Sequence, residues 1–191
     1  CALPISARRL AVEEKGSPFY ELVQYPGTKA RRHVAYNSLF HVISIFADSP
    51  LPLSDDPNRL AATVSRAFAL VKKTWPESWG RKPNVSKLMH GVGLRAMASL
   101  LAAKLAARAN EAGEFDDATS WAALEKSLER LRTRIVWSDE EASNSSISVK
   151  KTWREQISGR QNTNQDITAV TQFLSKESLD LDVKAKKAPG A

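Results

Sequence analysis

The sequence predicts a mainly α-helical fold of about five or six helices, with a small β-prone segment near the N-terminus. Apolar residues recur every three or four positions through several proline-free stretches, which is the spacing of a buried helix face. Pro, Gly and Asp residues stand at the borders of these stretches, where helices begin and end. Residues 19–25, FYELVQY, favour a strand, and Pro26 and Gly27 follow them as a turn.

Residues 85–111 form the longest of these stretches, and we expect them to be the central helix. Its apolar side carries Leu88, Val92, Ala96 and Leu100, with Met89, Met97, Leu101 and Leu105 beside them. Gly91 and Gly93 lie near its start, and each costs about 1 kcal/mol relative to Ala in a helix interior. The two glycines therefore indicate either a close backbone approach or a bend after His90.

The limits of the helices are predicted from their capping residues. In chain order, the helices are expected to begin at Ala7, at Asn37 or Ser38, at Asp56 with Pro57, at Asn84 or Ser86 for the central helix, at Asp116 or Asp117, at Lys150, and at Thr163 with Asp166. The helix after Asp117 has an apolar seam, so we expect it to pack antiparallel against the central helix. Residues 138–148 are acidic and then serine-rich, and they are predicted to be a loop.

These patterns divide the chain into four parts. Residues 1–6, CALPIS, contain no Met and resemble a translated adapter, so we expect a non-native tail there and a longer natural protein. Residues 7–35 are predicted to be a connecting segment with a short strand or hairpin, and residues 36–176 a helical domain. Residues 177–191 carry few apolar side chains and are predicted to be a disordered tail.

The composition is basic, with 28 Lys and Arg against 21 Asp and Glu and a net charge of +7. This excess favours a polyanionic partner such as DNA, RNA or a lipid surface, although surplus surface lysine explains it equally well. Cys1 is the single cysteine, which excludes a disulfide framework and a cysteine-based metal site and suits a cytoplasmic location. Because no run reaches the roughly 20 apolar residues of a membrane span and the histidines lack metal-ligand spacing, we expect no membrane partner, metal or cofactor.

Two basic clusters are the candidate nucleic-acid-binding residues. The first contains Lys29, Arg31, Arg32 and His33, and the second contains Lys150, Lys151, Arg154 and Arg160. Tyr25 and Tyr36 lie near the first cluster, Trp153 lies within the second, and the amide-rich residues 161–165 follow it. Basic groups with aromatic and amide side chains suit phosphate positioning and base contact. The alternative interpretation is a solvated face around a buried tryptophan.

A candidate pocket consists of His90, Gly91, Gly93, Asn162, Asn164 and Asp166. His90 stands beside small residues in a stretch predicted to be buried, where a packing histidine is favoured over a catalytic one. Gly91 and Gly93 lack the third glycine of a dinucleotide-binding fingerprint and follow no predicted strand. The glycines alone therefore do not indicate nucleotide binding.

Several short stretches share their order and spacing with a known family. They are residues 17–20 (SPFY), 26–29 (PGTK), 37–40 (NSLF), 75–79 (WPESW), 89–94 (MHGVGL), 135–138 (IVWS) and 162–167 (NTNQDI). Together they resemble the C-terminal half of the DGQHR-domain proteins, which include the DndB-type proteins of DNA phosphorothioate modification. The resemblance covers most of the chain, from residue 17 to residue 174.

The resemblance implies an N-terminal domain related to the ParB and sulfiredoxin fold, which carries the DGQHR motif itself. No Asp-Gly-Gln-His-Arg run occurs in this sequence. The resemblance also implies DNA binding, transcriptional control or support of a DNA-modification or restriction system, with DNA, the missing domain and other subunits as partners. Two alternatives stay open: a ParB-like nucleotide-dependent enzyme or nuclease whose pocket His90 or Asn162 completes, and a purely structural helical scaffold.

Overall fold

The computed structural model describes residues 2–27 and 32–187, and the described chain is mainly α-helical, which confirms the predicted fold class. The α-helices are α1 (Ala2–Arg8), α2 (Tyr36–Ala47), α3 (Pro57–Thr74), α4 (Gly91–Ala112), α5 (Ala118–Arg132), α6 (Asp139–Ser143), α7 (Ile147–Thr152) and α8 (Asn164–Lys187). The two short strands are β1 (Val23–Gln24) and β2 (Val34–Ala35), and π-helical turns cover Arg9–Glu13 and Trp153–Ser158. These eight helices of the described residues exceed the five or six predicted because α1 and α6 form where a tail and a loop were expected.

The central helix of the fold is α4, which packs most extensively against α8 and α2. It begins at Gly91 with His90 as its N-cap, so the predicted start near residue 85 and the predicted caps Asn84 and Ser86 are wrong. Residues 85–90 form turns instead, because the backbone N–H of Lys87 donates to the carbonyl of Trp137 at 2.8 Å. A contact between distant parts of the chain therefore sets where the central helix begins.

Gly93 lies where two stretches of backbone meet. A Cβ atom on Gly93 would lie 2.0 Å from the carbonyl oxygen of Lys87, a distance that no side chain can occupy. The predicted close backbone approach is therefore confirmed at Gly93. At the other end of α4, Gly113 has a φ of 77° and ends the helix as predicted.

The strongest capping predictions are confirmed. Asp56 accepts hydrogen bonds from two backbone N–H groups at 2.9 and 3.0 Å, and Pro57 is the first residue of α3. Asp117 caps α5 in the same way, at 2.7 and 3.0 Å. Helix α2 begins one residue before the predicted caps Asn37 and Ser38, without a side-chain cap. That prediction is wrong because tertiary packing of α2 replaces local capping.

Helix α5 contacts more neighbours than the predicted antiparallel pair with α4. Its buried side carries Trp121, Leu124, Leu128 and Leu131. This side packs more extensively against α8 and α3 than against α4. The predicted burial of the apolar seam is confirmed, but the spacing of a seam does not indicate which helix covers it.

The strands form a parallel pair, with Val23 opposite Val34 and Gln24 opposite Ala35. Of the two predicted alternatives for residues 7–35, the short strand is confirmed and the hairpin is wrong, and the strand is much shorter than residues 19–25. Both valines are buried, and burial of both on one core sets the register in place of a tight turn. Phe19, predicted to be in the strand, instead packs against Phe68 and Trp79, with ring centroids 5.0 and 5.6 Å away.

Both ends of the described chain are folded more fully than the sequence predicted. Residues 2–6 belong to α1, and the buried Ser6 hydroxyl donates to the carbonyl of Pro57 at 3.0 Å. This differs from the tail expected at residues 1–6. Residues 177–187 continue α8, which differs from the predicted disordered tail, because Ser178 and Asp182 contact α4 and α5. Residues 188–191 lie outside the described part of the chain.

Candidate nucleic-acid interface

The starts of α4 and α8 meet at one place, which we call the α4–α8 junction and define by Lys87, Gly91, Arg95, Asn162 and Asn164. The side chain of Asn162 covers Gly91, where an added Cβ would lie 2.6 Å from its amide atoms. Arg95 Nη2 donates to Asn164 Oδ1 at 3.4 Å, and Lys87 Nζ donates to a carbonyl oxygen of the loop before α8 at 2.8 Å. The junction therefore gathers two cations and two amides.

The start of α8 is held by the predicted variant of a capping box. Thr163 Oγ1 accepts from the backbone N–H of Asp166 at 3.2 Å. The carboxylate of Asp166 accepts from the N–H of Gln161 at 3.0 Å and from Arg160 Nη1 at 3.1 Å. These hydrogen bonds hold the pKa of Asp166 below its usual value, and the bond from Gln161 contributes more than the bond from Arg160. Asp166 therefore fixes the loop before α8. It also forms an ion pair with Arg160, so this guanidinium is already engaged within the protein.

His90 is the N-cap residue of α4. Its Nδ1 accepts a hydrogen bond from the backbone N–H of Val92 at 3.4 Å, which caps α4. Burial, and then the positive charge of Lys87, lower the pKa of His90, so the neutral ring that this cap requires is favoured at neutral pH. Packing and capping account for His90, in line with the interpretation that the sequence favoured over a catalytic role.

Arg95 is a functional candidate that the sequence analysis missed. Its Nε is buried without a hydrogen-bond partner among the described residues, and burial lowers its pKa. The pKa of His41 is lowered mainly by burial and further by the positive charge of Arg95. His41 is therefore a second basic side chain near this guanidinium. A signal was present, since Arg95 is the single charged residue between positions 91 and 103. Periodicity analysis overlooked it because one polar residue barely disturbs an apolar stripe.

The second basic cluster lies on α7 and the π-helical turn that follows. Lys151 and Arg154 are exposed, and Lys150 is partly buried. Among the described residues, Lys151 forms one ion pair, a weak one with Glu155 at 3.9 Å. These three cations therefore face solvent with little neutralisation.

Trp153, at the centre of the second cluster, points into the protein. It is 4% exposed, and its Nε1 donates to Asp139 Oδ1 at 2.7 Å. It is therefore the buried tryptophan of the alternative interpretation, and it does not offer its ring for base stacking. The basic side chains around it remain available for phosphate contacts.

The two described residues of the first basic cluster, Arg32 and His33, contact other parts of the protein. Lys29 and Arg31 lie outside the described residues. Arg32 Nη1 donates to the carbonyl of Glu21 at 2.7 Å, and its Nη2 lies 3.7 Å from the Glu21 carboxylate. His33 Nδ1 lies 3.0 Å from the carbonyl oxygen of Gly80. Arg32 and His33 therefore hold neighbouring loops together, whereas Lys151 and Arg154 of the second cluster are exposed to solvent.

The described residues limit what else this region could hold. In residues 2–27 and 32–187, no three His, Cys, Asp or Glu side chains are grouped so that they could bind a metal ion. Every helix in that part of the chain is too short or too polar to cross a lipid bilayer.

Some stretches that carry the family resemblance meet in space. The stretch 89–94 meets 162–167 at the α4–α8 junction. The ring of Trp75 lies 6.1 Å from that of Trp137, at an interplanar angle of 84°. Comparisons with family models, with curated proteins and with solved structures find no match to this chain, so the resemblance to DGQHR-domain proteins stays a prediction.

Proposed function

We propose that this chain is a cytoplasmic nucleic-acid-binding domain that contacts phosphates through the second basic cluster. The observation that carries the proposal is the exposure of Lys151 and Arg154 beside Lys150, with Glu155 as the one weak acidic neighbour of Lys151 among the described residues. Residues 150–165 carry four basic residues and one acidic residue. Such a surface attracts the phosphate backbone regardless of base sequence.

The loop that follows the cluster supplies groups of a different kind. Gln161, Asn162 and Asn164 are exposed, and Asp166 and Thr163 hold the loop in place. Amide side chains on a fixed loop next to phosphate-binding cations can donate to and accept from base edges or sugars. We therefore assign the cations to phosphate contact and the amides to the adjoining sugars and bases.

The resemblance to DGQHR-domain proteins supports a narrower form of the proposal. In that form, the chain is a DNA-binding or regulatory portion of a prokaryotic or phage DNA-modification or defence system. DNA and other subunits of the system would then be its partners. The enzyme alternative receives less support, because the Nδ1 atom of His90 is used in capping α4.

The test is fluorescence-polarisation binding of the chain to a labelled random-sequence duplex across a salt series. Three phosphate contacts predict a log–log salt slope of about −2.7 on duplex DNA. The variant combining Lys150→Glu, Lys151→Glu and Arg154→Glu is expected to lose at least about tenfold in affinity and most of this slope.

A matched control reverses three exposed cations elsewhere: Lys15→Glu, Lys72→Glu and Arg134→Glu. This control has the same net charge as the test variant and is expected to keep most of the binding. Absence of duplex binding at low salt would overturn the proposal. Equal losses in the two variants would show that net charge, and not this surface, causes the binding.

A further inference from the structure

An open groove of about 730 Å³ lies between α4, α5 and α8, away from the starts of α4 and α8. Leu100 and Leu124 contribute to its lining from α4 and α5, and Leu179 and Val183 contribute from α8. Leu179 is 63% exposed and Val183 is 40% exposed, although they are one helical turn apart on a single face. An apolar pair exposed beside a groove is typical of an interaction surface.

Small side chains keep the groove open. Ala103 and Ala107 line it from α4, Ala123 from α5 and Ala185 from α8. None of these methyl groups is long enough to fill the space between the helices. Because alanines also allow close approach of backbones, the groove can accept a further helix at an interaxial distance of about 8–10 Å.

An ion network holds the helices that form the groove. Asp182 on α8 accepts from Lys104 Nζ on α4 at 2.7 Å and from Arg130 on α5 at 2.7 and 3.0 Å. Ser127 on α5 also donates to the same carboxylate, at 3.0 Å. Burial alone would raise the pKa of Asp182, but the hydrogen bonds from Lys104 and Arg130 outweigh burial and lower it. The network is therefore charged at neutral pH and holds the groove in shape before any partner binds.

The rim of the groove has an excess of positive charge. Its lining includes the cations Lys104, Arg108, Lys126, Arg130 and Lys186, and the anions Glu111 and Asp182. Lys126 and Lys186 are exposed, and Lys184 and Lys187 add further positive charge near the end of α8. A second copy of this chain would bring the same positive rim against itself. Like charges in contact oppose such a dimer, whereas an acidic partner is attracted.

We propose that this groove binds an amphipathic helix of a partner protein, with apolar residues spaced at i, i+3 or i+4 and i+7 and flanked by Asp or Glu. The apolar residues would contact Leu179, Val183 and the alanine walls. The flanking carboxylates would face Lys126 and Lys186 on the rim. This is the helix-in-groove mode of recognition, with charge selecting the partner. The proposal rests on the groove alone and is independent of nucleic-acid binding.

The test uses the full chain and two synthetic helical peptides of about 18 residues, a length of about 27 Å. Both peptides carry Leu at identical positions, and their flanking residues are Glu in one and Lys in the other. The Glu peptide is expected to bind at least about tenfold more tightly at low salt, with a preference that decreases as salt screens the rim.

Two single substitutions locate the binding. Ala123→Trp fills the groove and is expected to weaken binding of the Glu peptide at least about tenfold. Ala122→Trp is the matched control, since Ala122 is an exposed neighbour on α5 that does not line the groove. Leu179→Ala shortens an exposed side chain, is expected to leave the thermal midpoint unchanged, and removes one apolar contact.

Several outcomes would overturn the proposal. These are no binding of the Glu peptide, equal binding of the two peptides, or binding that Ala123→Trp and Leu179→Ala both leave unchanged. A concentration-dependent dimer that Ala123→Trp abolishes would assign the groove to a second copy instead. Binding of a fatty acid that Ala123→Trp blocks, with no peptide binding, would assign it to an acyl chain.

Discussion

Helices α4 and α8 pack extensively against each other, and the two ends of this pair are built differently. At the first end, Gly91 lies against the side chain of Asn162 and Gly93 lies against the backbone of Lys87. Little space remains at either glycine. At the second end, the long side chain of Lys104 reaches Asp182 and connects the helices, and an open groove remains. The helices run in the same general direction, since Arg95 contacts Asn164 and the later residue Lys104 contacts Asp182.

The difference shows how one helix pair can carry two kinds of surface. At the first end, the Lys87 backbone lies against Gly93 and the Asn162 side chain lies against Gly91, so neither glycine has room for a Cβ atom. Side-chain ion pairs hold the second end while leaving apolar surface uncovered. We expect substitutions at the first end to act mainly through steric overlap, and those at the second end mainly through charge.

The largest effect is expected from Gly93→Ala. The added Cβ would lie 2.0 Å from the Lys87 carbonyl, which belongs to the backbone and cannot swing aside. We expect a loss of about 3 kcal/mol or more in the free energy of unfolding, measured by urea denaturation. Gly159→Ala is the control, because no neighbouring atom of the described residues lies within 4 Å of its added Cβ and its φ is −79°. A Gly93→Ala protein as stable as the Gly159→Ala protein would contradict the close packing of the first end.

The second end is tested by Asp182→Asn. Loss of the charge-assisted hydrogen bonds from Lys104 and Arg130 is expected to cost about 1.5–3 kcal/mol at neutral pH. Asp180→Asn, an exposed change on the same helix, is the control and is expected to have little effect.

The cost of Asp182→Asn should depend on pH in one direction. The pKa of Asp182 is lowered in the folded protein, so its contribution is fully present above the unfolded pKa of about 3.9. The contribution is then lost as the pH falls through the lower folded pKa. Thermal midpoints of the wild type and the variant are therefore expected to stay apart down to about pH 4 and to converge as the pH falls further. Midpoints that diverge on acidification would contradict the ion network.

A smaller effect is expected from Gly91→Ala. Here the added Cβ would lie 2.6 Å from side-chain atoms of Asn162, and this exposed side chain can rotate away. We expect a cost of about 1 kcal/mol, which the second substitution Asn162→Ala relieves. The measurement is a double-mutant cycle of unfolding free energies. Additive effects of the two substitutions would show that Gly91 and Asn162 do not contact each other.

The smallest effect is expected from Arg95→Met. The guanidinium donates one long hydrogen bond, to an amide, and its Nε is buried without a partner among the described residues. Replacing a partly buried cation by an apolar side chain of similar length is expected to change stability by less than about 1 kcal/mol, or to raise it. A loss of more than about 2 kcal/mol would show that the charge of Arg95 stabilises the free protein.

Local signals in the sequence predicted local structure well. Three helix caps were predicted correctly because a capping residue contacts backbone only two or three positions away. They are Asp56 followed by Pro57, Asp117, and the pair Thr163 and Asp166. The exposed cations Lys151 and Arg154 were found because basic residues cluster around Trp153 in the sequence.

Features that depend on distant residues could not be predicted in this way. The start of α4 depends on the carbonyl of Trp137, and the helical end of α8 depends on contacts of Asp182 with Lys104 and Arg130. Arg95 was not predicted because one charged residue barely disturbs the apolar stripe of α4. Its burial, and the lack of a hydrogen-bond partner for its Nε among the described residues, follow from tertiary packing, which composition and spacing do not contain.

The most direct test of the two-surface account combines both probes with both variants. The duplex and the Glu peptide are each titrated into the triple variant Lys150→Glu, Lys151→Glu, Arg154→Glu and into Ala123→Trp. We predict that the triple variant loses duplex binding and keeps peptide binding. We predict that Ala123→Trp keeps duplex binding and loses peptide binding. Loss of both ligands in either variant, or retention of duplex binding in the triple variant, would contradict it.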